Sequence, residues 1–188
     1  MNKPGRLWLP GVEHVVSPNA DDRPAETVVD LLVIHSISLP PGQYGERHID
    51  DLFLNRLDPA AHPYFAGIAD LRVSSHLLVR RDGTVTQFVA LDRRAWHAGE
   101  SNYCGRQRCN DFSIGIELEG CDEDPFTDAQ YQRLGELTQA VVQRLPTIDT
   151  RHIVGHADIA PDRKTDPGPC FDWVRYRSLL ATPDPRMT

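Results

Sequence analysis

No run of apolar residues in this 188-residue chain approaches the length that crosses a bilayer, so no membrane is expected among its partners. Residues 1–16, MNKPGRLWLPGVEHVV, carry prolines, two glycines, Glu13 and His14 where a secretory leader needs an unbroken apolar core. Together these absences predict a cytoplasmic protein. Cysteine is sparse: Cys104, Cys109, Cys121 and Cys170 show no Cys-x-x-Cys spacing, which argues for free thiols and against a cysteine-held zinc. Positive charge is also in deficit, with 20 Lys and Arg against 27 Asp and Glu and a net charge of −7. That balance disfavours nucleic acid as a partner, although the local pair Arg93-Arg94 still offers a site to an anionic ligand. Internal repeats and low-complexity segments are missing too, which leaves an ordinary globular chain with 40% hydrophobic and 25% charged residues.

The patterning predicts a single mixed α/β domain, a central mixed β-sheet flanked by α-helices. Residues 1–27 read as an extended N-terminal arm, 28–180 as the domain proper and 181–188 as a polar C-terminal tail. Val28 to Ile34 (VVDLLVI) is a short, β-branched run suited to a buried strand, with His35 at its end. His48 to Leu57 has apolar spacing for a short helix. Val73 to Arg80 and Thr84 to Val89 flank an Asp82-Gly83 turn, a hairpin signal. In Phe112 to Leu118, Ile114, Ile116 and Leu118 share one strand face while Gly115, Glu117 and Glu119 share the other. Thr127 caps a long helix that Pro146 stops after Leu145. A short strand from Arg151 to His156 and a closing helix from Phe171 to Leu180 complete the chain.

His35 and His156 each end an expected strand, and Asp166 lies in the Pro/Gly-bounded loop that follows. Two imidazoles and a carboxylate are a recurrent ligand set for catalytic zinc, because three protein ligands leave a fourth position for water. Zinc there would lower the pKa of that water from about 15.7 towards ~7 and polarise a scissile carbonyl. Taken singly, each residue is explained as well by a strand-end histidine bonded to backbone or by a turn aspartate. Spacing does not separate His35 and His156 from His14, His48, His62, His76, His97 and His152. Glu117, in a run as apolar as FSIGIEL, reads either as a general base over a cleft or as part of a solvated face shared with Glu119. Lys164, two residues before Asp166, reads as an oxyanion-stabilising cation or as a solvated lysine.

Taken together, VIHSISLPPG (33–42), DPAAHPYFAGIADLRVSSHLLVRRDG (58–83), RAWHAGES (94–101), CNDFSIGIELEG (109–120) and GHADIAPDRKTDPGPCFDW (155–173) closely resemble the type-2 amidases. That family includes bacterial muramoyl-alanine amidases, phage lysozyme-type amidases and peptidoglycan recognition proteins, and the likeness is to its cytoplasmic recycling branch. The resemblance implies a Zn2+ cofactor held by His35, His156 and Asp166, with Glu117 as general base and Lys164 stabilising the transition state. It implies an anhydro-muropeptide substrate cut between the muramic lactyl group and L-alanine. Arg72, Trp96, His97 and Ser36 are the expected substrate contacts, Ser36 offering a shorter hydroxyl where a related chain has Asn. A monomer is the simplest expectation for the assembly. Two alternatives are a recognition module that binds without cutting and a secreted amidase with the same chemistry.

Overall fold

Two seven-residue strands carry the centre of the sheet, and both are built from alternating apolar positions that can be buried on two faces. In the computed structural model, which describes residues 6–181, they are β3 (Leu31–Ile37) and β9 (Ser113–Glu119) in the order β1 (Glu13–His14), β2 (Ala20–Asp22), β3, α1 (His48–Phe53), β4 (Leu77–Val79), β5 (Val85–Gln87), β6 (Arg93–Ala95), β7 (Asn102–Tyr103), β8 (Arg106–Gln107), β9, α2 (Asp128–Arg144), β10 (Ile153–Gly155), α3 (His156–Ile159) and α4 (Trp173–Leu180). Residues 1–5 of the expected arm and 182–188 of the expected tail lie outside the described residues. The main sheet runs β1-β5-β4-β9-β3-β10 and is mixed: β10, β3, β9 and β4 are mutually parallel, and β4 and β5 are antiparallel. This is the helix-flanked mixed sheet that the pattern predicts.

One sheet face is the main core. Leu32 and Ile34 of β3, Ile114, Ile116 and Leu118 of β9, and Leu77 and Val79 of β4 meet Tyr131, Leu134, Leu137 and Val141 of α2 and Tyr176 of α4. Helix α2 starts where expected: Thr127 accepts the Gln130 N–H through its side chain, and the Gln130 side chain accepts the Thr127 N–H in return. The opposite face holds two smaller clusters. Phe53, Phe65 and Phe88 pack around Leu78 at one end, and Leu31 and Val33 pack with Ala98, Phe112 and Ile159 at the other. Between those clusters a groove opens on this face, lined by His35 of β3 and Glu117 of β9.

Several boundaries differ from the sequence pattern, each for a local reason. Val28 is 54% exposed, so β3 begins only at Leu31; it runs past His35 to Ile37 because β9 continues to pair with it as far as Glu119. His35 is therefore inside the strand. His156 has left β10 and is the first residue of α3, with the Gly155 N–H donating to Asp158 Oδ2 at 2.7 Å. Helix α1 stops at Phe53, ahead of Asn55 in a left-handed conformation (φ 58°). The segment 6–27 supplies β1, which joins the sheet beside β5, and β2, which pairs with β6.

Ile116 is fully buried between β4, β3 and α2. Ile116→Ala is expected to lower unfolding stability by about 2–5 kcal/mol, read as a lower denaturant midpoint at an unchanged slope. A loss well under 1 kcal/mol would contradict this packing.

Candidate metal centre and active site

Strand pairing brings the first two ligands together across the sequence. The β3–β10 register ends at Ile34 opposite Gly155, so the next residues, His35 and His156, emerge side by side. The loop after α3 then folds back, and the Ala157 N–H donates to the Asp166 carbonyl at 3.0 Å, setting the Asp166 side chain under both rings. His35 Nδ1 and His156 Nδ1 are 3.0 Å apart, and each lies 3.1 Å from Asp166 Oδ2. No other His, Cys, Asp or Glu group among the described residues converges in this way. The four cysteines are free thiols and none belongs to this group.

The hydrogen atoms decide what this triangle can hold. Burial, the largest influence, brings the His35 pKa down to about 4, so at neutral pH its ring carries one N–H. His35 Nε2 faces His97 Nδ1 at 2.9 Å, and His156 Nε2 faces the Ala98 carbonyl, an obligate acceptor, at 3.1 Å. With those outer nitrogens carrying the hydrogens, both Nδ1 atoms and the carboxylate oxygen point lone pairs at one another. A cation satisfies such an arrangement, and a metal about 2 Å from each ligand in a tetrahedral array sets the ligand atoms about 3.3 Å apart, close to the spacing observed. The residues fit a tetrahedral divalent metal with one open position.

Glu117 is directly opposite His35 in the β3–β9 register and is 8% exposed. Its Oε2 atom is buried without a hydrogen-bond partner. Burial, with a smaller contribution from the Asp166 charge, pushes its pKa well above the ordinary carboxylate range, and Lys164 pulls it partly back. Glu119 does not share a solvated face with it, as one reading of the sequence had it. That side chain is 1% exposed and accepts the Gly45 N–H at 2.7 Å and the Arg81 N–H at 3.1 Å. Of the two carboxylates, Glu117 is the one left with unused proton-accepting capacity. A groove of about 540 Å³ opens over it, lined by His35, His156, Asp166 and Lys164 at its polar floor. Leu39, Tyr64, Ile68, Leu71 and Val73 form an apolar wall.

A family model described as N-acetylmuramoyl-L-alanine amidase matches residues 24–169. The chain belongs to this amidase family. It is 58% identical over 174 residues to the 1,6-anhydro-N-acetylmuramyl-L-alanine amidase AmpD of Escherichia coli strain K12, covering 93% of this chain and 94% of the relative. A crystal structure of a selenomethionine AmpD derivative superimposes with a TM-score of 0.90 at 58% identity, covering 92% of this chain and 96% of that one. The E. coli amidase AmiD, in complex with anhydro-N-acetylmuramic acid-L-Ala-D-γ-Glu-L-Lys, aligns at 33% identity and a TM-score of 0.59 over 87% of this chain and 63% of its own.

Within this amidase-family chain the expected substrate contacts fall in three different settings. Ser36 and Trp96 line the groove, and the Trp96 indole N–H donates to Asp21 Oδ1 at 3.2 Å. Arg72 is exposed outside the groove lining, with its guanidinium near the Ala69 and Leu71 carbonyls. His97 borders the groove but has both ring nitrogens engaged, by His35 and by Ser113 Oγ at 3.1 Å. Arg93 and Arg94 are no anion site: Arg93 pairs with Asp22, and Arg94 pairs with Asp21 and Asp111. The sequence pattern named no outer partners for the two histidines; the structure puts His97, Ala98, Asn110 and Ser113 behind them. Gly115 carried the signal, since a glycine on the Glu117 face of a strand marks a close approach.

Titration of the metal-stripped protein with Co2+ is expected to fill one site with tetrahedral absorption, and His156→Ala is expected to abolish that spectrum while the fold persists. An unchanged spectrum in the variant would remove His156 from the ligand set.

Proposed function

We propose that the chain is a zinc-dependent amidase acting on muropeptides recycled in the cytoplasm. It hydrolyses the amide between the lactyl group of 1,6-anhydro-N-acetylmuramic acid and L-alanine and frees the peptide. The observation that carries this reading is the convergence of His35, His156 and Asp166 at the floor of the same groove as a buried Glu117 with a free oxygen. The substrate class follows from the relatives: the E. coli AmpD protein is named for this anhydro-muramyl-L-alanine bond, and the AmiD neighbour is bound to an anhydro-muramoyl tripeptide. A cytoplasmic site is consistent with the absence, among the described residues, of any helix long and apolar enough to cross a membrane.

His35, His156 and Asp166 would hold the zinc, which when bound supplies Lewis acidity that acidifies water and polarises a carbonyl. Glu117 takes the proton from the attacking water as its oxygen adds to the lactyl carbonyl carbon. The same carboxyl then delivers that proton to the alanine nitrogen as the carbon–nitrogen bond breaks; the second water proton stays on the new lactyl carboxylic acid until it passes to the peptide amine, leaving a lactyl carboxylate and a peptide ammonium. The raised affinity of Glu117 for a proton suits both halves of this transfer, because a carboxyl of ordinary acidity would release it too readily to donate it. Lys164, on the same groove floor, neutralises the negative charge that grows on the lactyl oxygen. The apolar wall excludes water around the reacting amide, and Trp96 and Ser36 are the proposed sugar or peptide contacts, with Arg72 available at the outer rim.

Zinc-loaded protein incubated with anhydro-muramoyl tripeptide is expected to release an intact peptide beginning with alanine, seen by mass spectrometry and lost when a chelator is present. Intact substrate alongside measurable binding would replace this reading with a recognition module. Glu117→Gln is expected to lower kcat by about 10²–10⁴-fold with zinc affinity unchanged, and Lys164→Ala by about 10²–10³-fold. Loss of zinc in the Glu117 variant would instead make that residue a ligand.

A further inference from the structure

Both histidines of the centre turn their outer ring edges to one short stretch of chain, residues 97–98, and that stretch is itself pinned. His156 Nε2 meets the Ala98 carbonyl at 3.1 Å, and His35 Nε2 meets the His97 ring at 2.9 Å. Asn110 Oδ1 accepts the backbone N–H of both His97 and Ala98, at 3.0 and 2.7 Å. Arg163 donates to the same Ala98 carbonyl at 2.7 Å. Beyond His97 the chain of contacts reaches Ser113 Oγ at 3.1 Å, and the Ser113 hydroxyl donates to the Cys109 carbonyl at 2.6 Å. Since that carbonyl only accepts, the direction of every link is fixed. Ser113 Oγ accepts from His97 Nε2–H, which leaves His97 Nδ1 as the acceptor for His35 Nε2–H.

The alternative for His35 is close at hand. Its ring is 1% exposed and its Nε2–H has His97 as its partner, so loss of His97 takes away the contact that favours that tautomer. The ring would then carry its hydrogen on Nδ1 and donate to Asp166 Oδ2, 3.1 Å away, closing the centre with a hydrogen bond where a metal belongs. Strand β9 is cut to admit the His97 ring: a Cβ at Gly115 would stand 2.6 Å from its Cγ and Nδ1 atoms.

We propose that His97, seated in the notch at Gly115 and backed by Ser113, is a positioning residue that keeps the His35 Nδ1 atom bare and thereby sets the affinity of the centre for its metal. This rests on the metal-site reading above.

The test uses the full chain, stripped of metal. Zinc affinity is measured by competition with a chromophoric chelator, and the His35 tautomer of the metal-free protein by long-range proton–nitrogen NMR. His97→Ala is expected to weaken zinc about 10–100-fold and to move the His35 hydrogen from Nε2 to Nδ1. His97→Asn, whose Oδ1 stands where Nδ1 stood, is expected to hold zinc nearly as tightly as the parent. Parental affinity and tautomer in His97→Ala would overturn the proposal, as would a loss in His97→Asn as large as in His97→Ala. If the alanine variant fails to fold, Ser113→Ala, which removes the acceptor that fixes the His97 ring, is expected to weaken zinc and to raise the share of His35 carrying its hydrogen on Nδ1, and parental affinity and tautomer there would overturn the proposal. A parent protein that takes up no zinc would overturn the metal-site reading, while the tautomer measurement would still decide the part played by His97.

Discussion

The site depends on one pairing register, that of β3 against β9, in which His35 lies opposite Glu117. Parallel neighbours about 4.8 Å apart project paired residues from the same face, so this register puts a candidate ligand and a candidate base side by side. It also turns Leu32, Ile34, Ile114 and Ile116 together into the core beneath α2. A slip of one residue would reverse both sets at once, burying polar groups in the core and exposing isoleucines to the groove. Apolar packing on one face thus fixes the chemistry on the other. Adding β10 on the far side of β3 brings in His156 by the same logic, and the returning loop adds Asp166.

Polar groups gathered in this way are costly to bury, and the structure answers that cost unevenly. Outer ring nitrogens are satisfied through His97 and the Ala98 carbonyl, and Glu119 is satisfied by two backbone N–H groups. The inner atoms are not: two Nδ1 atoms and a carboxylate oxygen converge, and Glu117 keeps a buried oxygen without a partner. Buried polar atoms are satisfied almost everywhere in folded proteins, so a cluster of exceptions at the floor of a groove marks where binding and proton transfer belong. Metal uptake would convert the first set of exceptions into bonds, and substrate with its attacking water would engage the second.

Much of this was legible in the sequence because it is written in short-range patterns. The FSIGIEL alternation separates Glu117 from the isoleucines, Thr127 announces the start of α2, and Asp82-Gly83 marks the hairpin. The metal ligands were not legible by spacing, since His35 and His156 are 121 residues apart and eight histidines compete for the role. Only the resemblance of whole blocks to the amidases singled them out. Tertiary partners decided the remainder. Val28 looks like strand but lacks cover, Arg93 and Arg94 are neutralised by Asp22, Asp21 and Asp111, and His97 is drawn behind His35 by the space at Gly115.

The most direct test of the account is anomalous diffraction at the zinc absorption edge from crystals of the zinc-loaded protein. A single strong peak within about 2.0–2.2 Å of His35 Nδ1, His156 Nδ1 and Asp166 Oδ2 is the predicted result. A peak at the cysteines, or none between the two imidazoles and the carboxylate, would contradict it.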